Sequence, residues 1–123
     1  MAPWGAVAEA PKEARDAGKQ VFAIGVDSDQ YHLAPNAVLT SMLKRVDLAV
    51  YETIRDSVSG AFNGGDLIMG MKQGGVTYAE VRLDFPGKVE ALQRVEALRQ
   101  KIAADEIKVP VNAAELASFK LAP

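Results

Sequence analysis

Cysteine is absent from this 123-residue chain, and histidine occurs once, at His32. Without thiolates and with a single imidazole, the chain lacks the side chains that most often hold zinc or build an activated nucleophile. No apolar run approaches the roughly 20 residues that span a bilayer. A G-x-G-x-x-G turn is also missing, which argues against a nucleotide-dependent enzyme of Rossmann type. We therefore expect a non-enzyme with no metal site and no cofactor.

Charge and composition indicate one α/β domain. The chain is 49% hydrophobic and 24% charged, with a net charge of −2. These values are typical of a globular domain. They argue against a nucleic-acid partner, because such a surface requires clustered Lys and Arg. We expect a single domain over residues 1–123.

Hydrophobic periodicity predicts the order helix, strand, helix, strand, strand, helix. The predicted segments are a helix over residues 5–19 (or from Pro11 onward), a central buried strand over 21–26, a helix over 37–59 ended by Gly60, strands over 67–71 and 76–80, and a helix over 87–105. Asn112 is placed to cap a final helical turn. The second helix carries an apolar stripe that we expect to pack on the sheet; its members are Leu39, Met42, Leu43, Val46, Val50, Ile54 and Val58. This α/β pattern has too few strands for a complete sheet, and unpaired edges recruit partners. We expect a homodimer through an edge strand, with C2 symmetry.

Polar residues follow the predicted central strand at Asp27, Asp29 and Gln30. Ligands of open parallel sheets bind outside the carboxyl ends of the strands, so Asp27 is a candidate acceptor for a hydroxyl-rich molecule. The alternative is a turn or helix-cap aspartate, and the pattern alone favours this alternative. Asp29 and Gln30 lie on the same turn and either touch the ligand or hold the loop.

Two segments carry a family resemblance: IGVDSDQ at residues 24–30 and VLTSMLKRVDLAVYETI at residues 38–54. They resemble the basic membrane protein family of ABC-transporter solute-binding proteins, which includes purine nucleoside receptors. The similarity continues through Phe62-Asn-Gly-Gly65, the segment 67–75 and the tail 107–119, and it covers the chain from about Glu13 onward. The resemblance implies the C-terminal lobe of a type I periplasmic-binding-protein-like fold, which is Rossmann-like and flavodoxin-like.

The first residues of the chain show neither a signal-peptide pattern nor a lipobox. Met1-Ala-Pro-Trp-Gly5 has no charged region followed by an apolar region, and no lipobox cysteine follows it. Members of the family have two lobes and about twice this length or more. We therefore expect a fragment or an engineered half of a receptor. The resemblance implies that the full receptor works in the periplasm or on the outer face of the cell membrane.

The resemblance also implies roles for individual residues. It implies that Asp27 accepts hydrogen bonds from ribose hydroxyls, which reverses the order of the two interpretations given above. It implies that Lys44 approaches the same sugar, although Lys44 lies off the apolar stripe of the predicted second helix and periodicity predicts a solvated lysine there. Gly5 stands where the family has a glycine-rich loop on the sugar, but Ala2-Pro3-Trp4 departs from that pattern.

Two functions follow from the sequence. The first is a ligand-binding lobe for a nucleoside or a related polar solute, whose partners are an N-terminal lobe and an ABC permease. The two lobes of such a receptor close over the solute about a hinge. The second is structural: an isolated or engineered half that folds and self-associates without binding a ligand. Exposed sheet edges favour such self-association.

Overall fold

The computed structural model describes the backbone of residues 4–120 and the side chains of residues 9–120. Its elements in chain order are α1 (Trp4–Asp16), β1 (Ala23–Asp27), β2 (Val38–Lys44), α2 (Val46–Ser59), β3 (Val76–Tyr78), α3 (Lys88–Ala103) and α4 (Ala113–Ser118). A short 3-10 turn, Tyr31–Leu33, lies between β1 and β2. The chain divides into two compact units, Met1–Asp84 and Phe85–Pro123. The single domain over residues 1–123 stays a prediction.

The first unit contains a mixed three-stranded sheet with the order β1-β2-β3. β1 runs parallel to β2, and Asp27 lies opposite Leu43 at its carboxyl end. β3 runs antiparallel to β2, and its Val76 lies opposite Lys44. The α/β class is confirmed. The strand predicted over residues 21–26 forms as β1, from Ala23 to Asp27, but its predicted central position is wrong, because β1 lies at the edge of the described sheet.

The region predicted as one helix over residues 37–59 forms two elements. Val38–Lys44 is a strand, because its backbone pairs with β1 on one side and β3 on the other. At Arg45 the chain leaves the strand, and its amide donates to the Gly75 carbonyl at 2.9 Å. The helix α2 begins only at Val46 and ends at Ser59, and Gly60 after it, with a φ of 75°, gives the predicted left-handed cap.

The strand predicted over residues 67–71 is absent from the described part of the chain. Instead the segment turns on itself: the Gly75 amide donates to the Gly70 carbonyl at 2.9 Å, and the Gly70 amide to Gln73 Oε1 at 3.1 Å. A Cβ atom on Gly75 would collide with the Met69 carbonyl, so only glycine fits this turn. The strand predicted over residues 76–80 does form, as β3, and is shortened to Val76–Tyr78.

The core of the first unit is small. Its buried apolar cluster is Ala23, Ala34, Ala37 and Val38. No residue of α2 is buried, and the members of the predicted apolar stripe that lie on α2 are exposed: Val46, Val50, Ile54 and Val58. The predicted burial of this stripe is therefore wrong. A sheet whose third strand has only three residues offers little surface to cover a 14-residue helix.

The described residues of the second unit, 85–120, contain two helices. The helix predicted over residues 87–105 forms as α3, after Gly87 in a left-handed conformation with φ of 79°. Asn112 caps α4 as predicted: its side chain accepts a hydrogen bond from the Glu115 amide at 2.9 Å.

In the first unit, α1 continues through Pro11 and does not begin there.

Candidate functional site

Asp27 and Lys44 lie at the same edge of the sheet. Asp27 ends β1, and its strand partner Leu43 immediately precedes Lys44, which ends β2. Because β1 and β2 are parallel, both carboxyl ends meet there, and both residues are exposed. The placement of Lys44 on a helix is wrong, since it belongs to a strand. The carboxyl edge of a parallel pair is where ligands of α/β sheets bind.

The backbone of Asp27 adopts a left-handed conformation, with φ of 72°. Among side chains other than glycine, Asp and Asn tolerate this region best because their short polar groups bond locally. Immediately after it, the Ser28 amide donates to the Val26 carbonyl at 3.0 Å, which closes a tight turn. Such backbone conformations persist where surrounding contacts hold them, and they cluster at binding sites.

Gln30 supports this turn from its buried side. Its side-chain Nε2 donates to the Val26 carbonyl at 2.8 Å, and its backbone N–H donates to the Ser41 hydroxyl at 3.0 Å. Gln30 is only 7% exposed and Ser41 is fully buried. The contacts of Gln30 therefore join the end of β1 to β2. They fit the loop-holding role that the sequence left open for this residue.

Asp29 has partners for both of its carboxylate oxygens. Oδ1 accepts from the Tyr31 amide at 3.0 Å, and Oδ2 accepts from Arg82 Nη1 at 2.9 Å. Because these two groups donate to it, the pKa of the Asp29 carboxyl lies below its ordinary value. The carbon of the Arg82 guanidinium also lies 4.7 Å from the centre of the Tyr31 ring.

Arg82 was not found from the sequence. It lies 53 positions beyond Asp29, outside any helix or strand, so no local pattern connects the two residues. Gly5, the remaining candidate, falls in the first turn of α1. A ligand role for Gly5 stays a prediction.

A cavity of about 360 Å³ borders Lys44 on the α2 side. Its lining is mostly apolar, with Lys44 and Arg45 as its cations, and consists of Lys44, Arg45, Val46, Ala49, Thr53, Leu67, Met69, Gly75 and Val76. The Arg45 guanidinium is held by the Asp47 carboxylate, with Nη2 to Oδ2 at 2.8 Å. Lys44 thus belongs both to the edge that carries Asp27 and to the lining of this cavity.

Within the part of the chain whose side chains the structure describes, no three acidic or histidine side chains come together as a metal site would require. None of the helices within residues 4–120 combines the length and apolarity needed to cross a membrane.

Comparison with known proteins defines the class. Residues 4–113 match the family model Bmp, described as ABC transporter substrate-binding protein PnrA-like. Basic membrane protein A of Borreliella afzelii is 36% identical over 101 residues, covering 80% of this chain and 30% of that protein. An uncharacterised lipoprotein of Pyrococcus abyssi is 38% identical over 71 residues, covering 57% of this chain and 18% of that protein.

The fold comparison agrees. A solved structure of an ABC transporter solute-binding protein from Aeropyrum pernix is similar with a TM-score of 0.66 and 29% identity; the match covers 89% of this chain and 39% of that one. The architecture is that of part of a solute-binding protein. The chain belongs to the Bmp family of PnrA-like ABC transporter substrate-binding proteins. It spans about 30% of the length of the basic membrane proteins that it matches over most of its own length.

Proposed function

We propose that this chain supplies one lobe of an ABC-transporter substrate-binding protein and binds the ribose side of a nucleoside at the edge formed by Asp27 and Lys44. The observation that carries the proposal is the placement of these two residues at the carboxyl ends of neighbouring parallel strands. Membership of a substrate-binding family supports it. No catalytic role is proposed for any residue of the chain.

The chemistry of the pair suits a sugar. A carboxylate accepts hydrogen bonds from two vicinal hydroxyls, and each charge-assisted bond contributes roughly 1.5–3 kcal/mol. An ammonium at the same edge keeps the carboxylate ionised as an acceptor when a closing cleft removes water. In this proposal Asp29 and Gln30 flank the sugar-binding turn, and Gly5 contributes a backbone contact to the sugar.

The proposed partners follow from the family. A second, N-terminal lobe closes over the solute, and a permease receives it. We place the full receptor in the periplasm or on the outer face of the membrane. The relative from Pyrococcus abyssi is named a lipoprotein, which supports that location.

Nuclear magnetic resonance titration of the chain at millimolar ligand tests the proposal. Inosine, adenosine and free ribose should each shift the amide signals of Asp27 and Lys44, whereas free hypoxanthine should not. Asp27→Asn should weaken inosine binding about tenfold while the fold is kept, because the amide loses the charge and keeps only one of the two acceptor oxygens. Asp105→Asn is the matched control, since Asp105 also has a positive φ, of 60°. Signals of Asp27 and Lys44 that stay unmoved by every ribose-containing compound would contradict the proposal.

A second candidate function is self-association without a ligand. The structure favours it through β1, which pairs only with β2 among the described strands. Two of its apolar side chains are also exposed, Ile24 at 61% and Val26 at 45%. A second copy adding its own β1 would satisfy this edge. Light scattering should then show a dimer that Ile24→Lys disrupts and that the exposed-site control Val109→Lys leaves intact. A strict monomer from micromolar to millimolar concentration would rule this out.

A further inference from the structure

The turn that carries Asp27 is tied to a distant segment of the chain by a single arginine. Arg82 donates to Asp29 at 2.9 Å, and its guanidinium stacks 4.7 Å from the Tyr31 ring. The Tyr31 amide bonds the other oxygen of Asp29 at 3.0 Å. The three groups therefore form a closed cluster in which each contacts the other two. We call it the Arg82 clamp.

The segment before Arg82 is itself fixed to the sheet. The Ala79 amide donates to the Ser41 carbonyl at 2.8 Å, and the Thr40 hydroxyl donates to the Ala79 carbonyl at 2.6 Å. Ala79 is buried. The backbone at Ala79, three residues before Arg82, is thus fixed to β2, and this limits the range of positions that the Arg82 side chain can reach.

Two connections to β2 therefore enclose Asp27. On its N-terminal side, Val26 is held through Gln30 to Ser41. On its C-terminal side, Asp29 is held through Arg82 to the segment that bonds β2. A left-handed aspartate in an exposed turn needs such over-determination to keep its conformation.

We propose that Arg82 is a positioning residue for ligand binding, which acts through Asp29 and Tyr31 to hold Asp27 in its left-handed conformation. The inference rests on the proposed function, because it assigns Arg82 to the same sugar site. Arg82 itself touches no ligand in this scheme. Its effect on affinity comes from preorganisation: a turn held in its binding geometry loses less conformational freedom when the ligand arrives.

A ligand-independent measurement tests the clamp first. The three-bond amide coupling of Asp27 reports its φ, and hydrogen exchange of the Tyr31 amide reports whether the bond to Asp29 persists. In Arg82→Ala the coupling should move away from the left-handed value. Exchange at Tyr31 should accelerate about threefold, which is the size expected for a partly exposed ion pair. Asp29→Asn should reproduce both changes, and the double variant should add little to either.

Two further variants separate positioning from simple loss of stability. Glu80→Gln removes a second carboxylate near Arg82, at 3.6 Å from Nε, and leaves the bond to Asp29 intact. It should change neither readout. Arg82→Lys keeps the charge but loses the planar fork, so it should restore the Asp27 coupling only in part. An Arg82→Ala chain with a lower melting temperature but an unchanged Asp27 coupling would overturn the proposal.

Inosine binding supplies the second arm. Arg82→Ala should weaken inosine binding about threefold, with partial rescue by Arg82→Lys. An unchanged affinity alongside a loosened turn would overturn the assignment of Arg82 to the ligand site. If the unaltered chain binds no ribose compound, the proposed function fails, and the Asp27 coupling and the Tyr31 exchange still decide whether Arg82 holds the turn.

Discussion

Gly25 of β1 and Ser41 of β2 approach so closely that no side chain fits between them. A Cβ atom on Gly25 would collide with the Ser41 hydroxyl and lie 3.0 Å from the Gln30 side chain. That hydroxyl is the acceptor for the Gln30 amide. The glycine therefore makes room for the bonds that hold the turn beside Asp27.

Gly25→Ala should destabilise the chain by about 1–3 kcal/mol, the usual cost of adding a methyl group to a filled interior. Thermal and denaturant unfolding would measure the loss. Gly64→Ala is the control, because a Cβ atom there meets nothing within 4 Å. Equal stability of the two variants would contradict the close contact at Gly25.

Part of the site was predictable because its signal is local. A short apolar run that stops at an aspartate indicates a strand end, and this pattern correctly predicted a strand leading into Asp27. Lys44 was found only through family resemblance, and the element assigned to it was wrong. The apolar residues of segment 38–44 stand at positions 38, 39, 42 and 43, which is helical spacing, and pairing with β1 and β3 decides for the strand against that pattern.

The Arg82 clamp could not have been predicted in the same way. Asp29 and Arg82 are brought together by the return of the chain through β3, and a contact between residues 53 positions apart leaves no periodic pattern in the sequence. The exposure of α2 was likewise not predictable from the sequence. An apolar stripe predicts which face of a helix prefers burial, but not whether this chain contains enough surface to bury it.

Asn112→Ala should fray the start of α4. The Asn112 side chain accepts from the Glu115 amide at 2.9 Å, and Glu115 in return accepts from the Val111 amide at 3.0 Å. Loss of such a cap costs about 1 kcal/mol of helix stability. Faster hydrogen exchange of the Glu115 amide would show it, and Asn112→Asp should restore protection. Unchanged exchange in Asn112→Ala would refute the capping role.

Glu96 should titrate far below an ordinary glutamate. Arg99 donates to both carboxylate oxygens, at 2.7 and 2.8 Å, and Gln100 adds a bond at 3.1 Å. These bonds lower the pKa of Glu96 to about 2. Because the folded-state pKa is lowered, the stabilisation is present above the ordinary glutamate pKa and is lost as pH falls through about 2.

Carboxyl carbon resonance across an acid titration would measure this. Arg99→Ala should return the Glu96 midpoint toward its ordinary value, whereas Arg94→Ala on the same helix should leave it low. Added salt should reduce the shift, since the pair is exposed. A Glu96 midpoint that does not respond to Arg99→Ala would show that another group causes the low pKa.

Val46→Asp should leave the chain folded. Val46 is 55% exposed, so the new carboxylate stays in water, and as the first residue of α2 it also suits the positive end of the helix dipole. Exposed substitutions of this kind stay within about 0.5 kcal/mol. Val38→Asp is the matched opposite: Val38 is 1% exposed at the start of β2, and an unpaired charge there costs several kcal/mol. Circular dichroism and thermal melts of both variants would distinguish the positions.

Unfolding of the Val46 variant would mean that the face of α2 is covered in solution, by a second copy or another element. Light scattering of the unaltered chain would then show whether a second copy covers it.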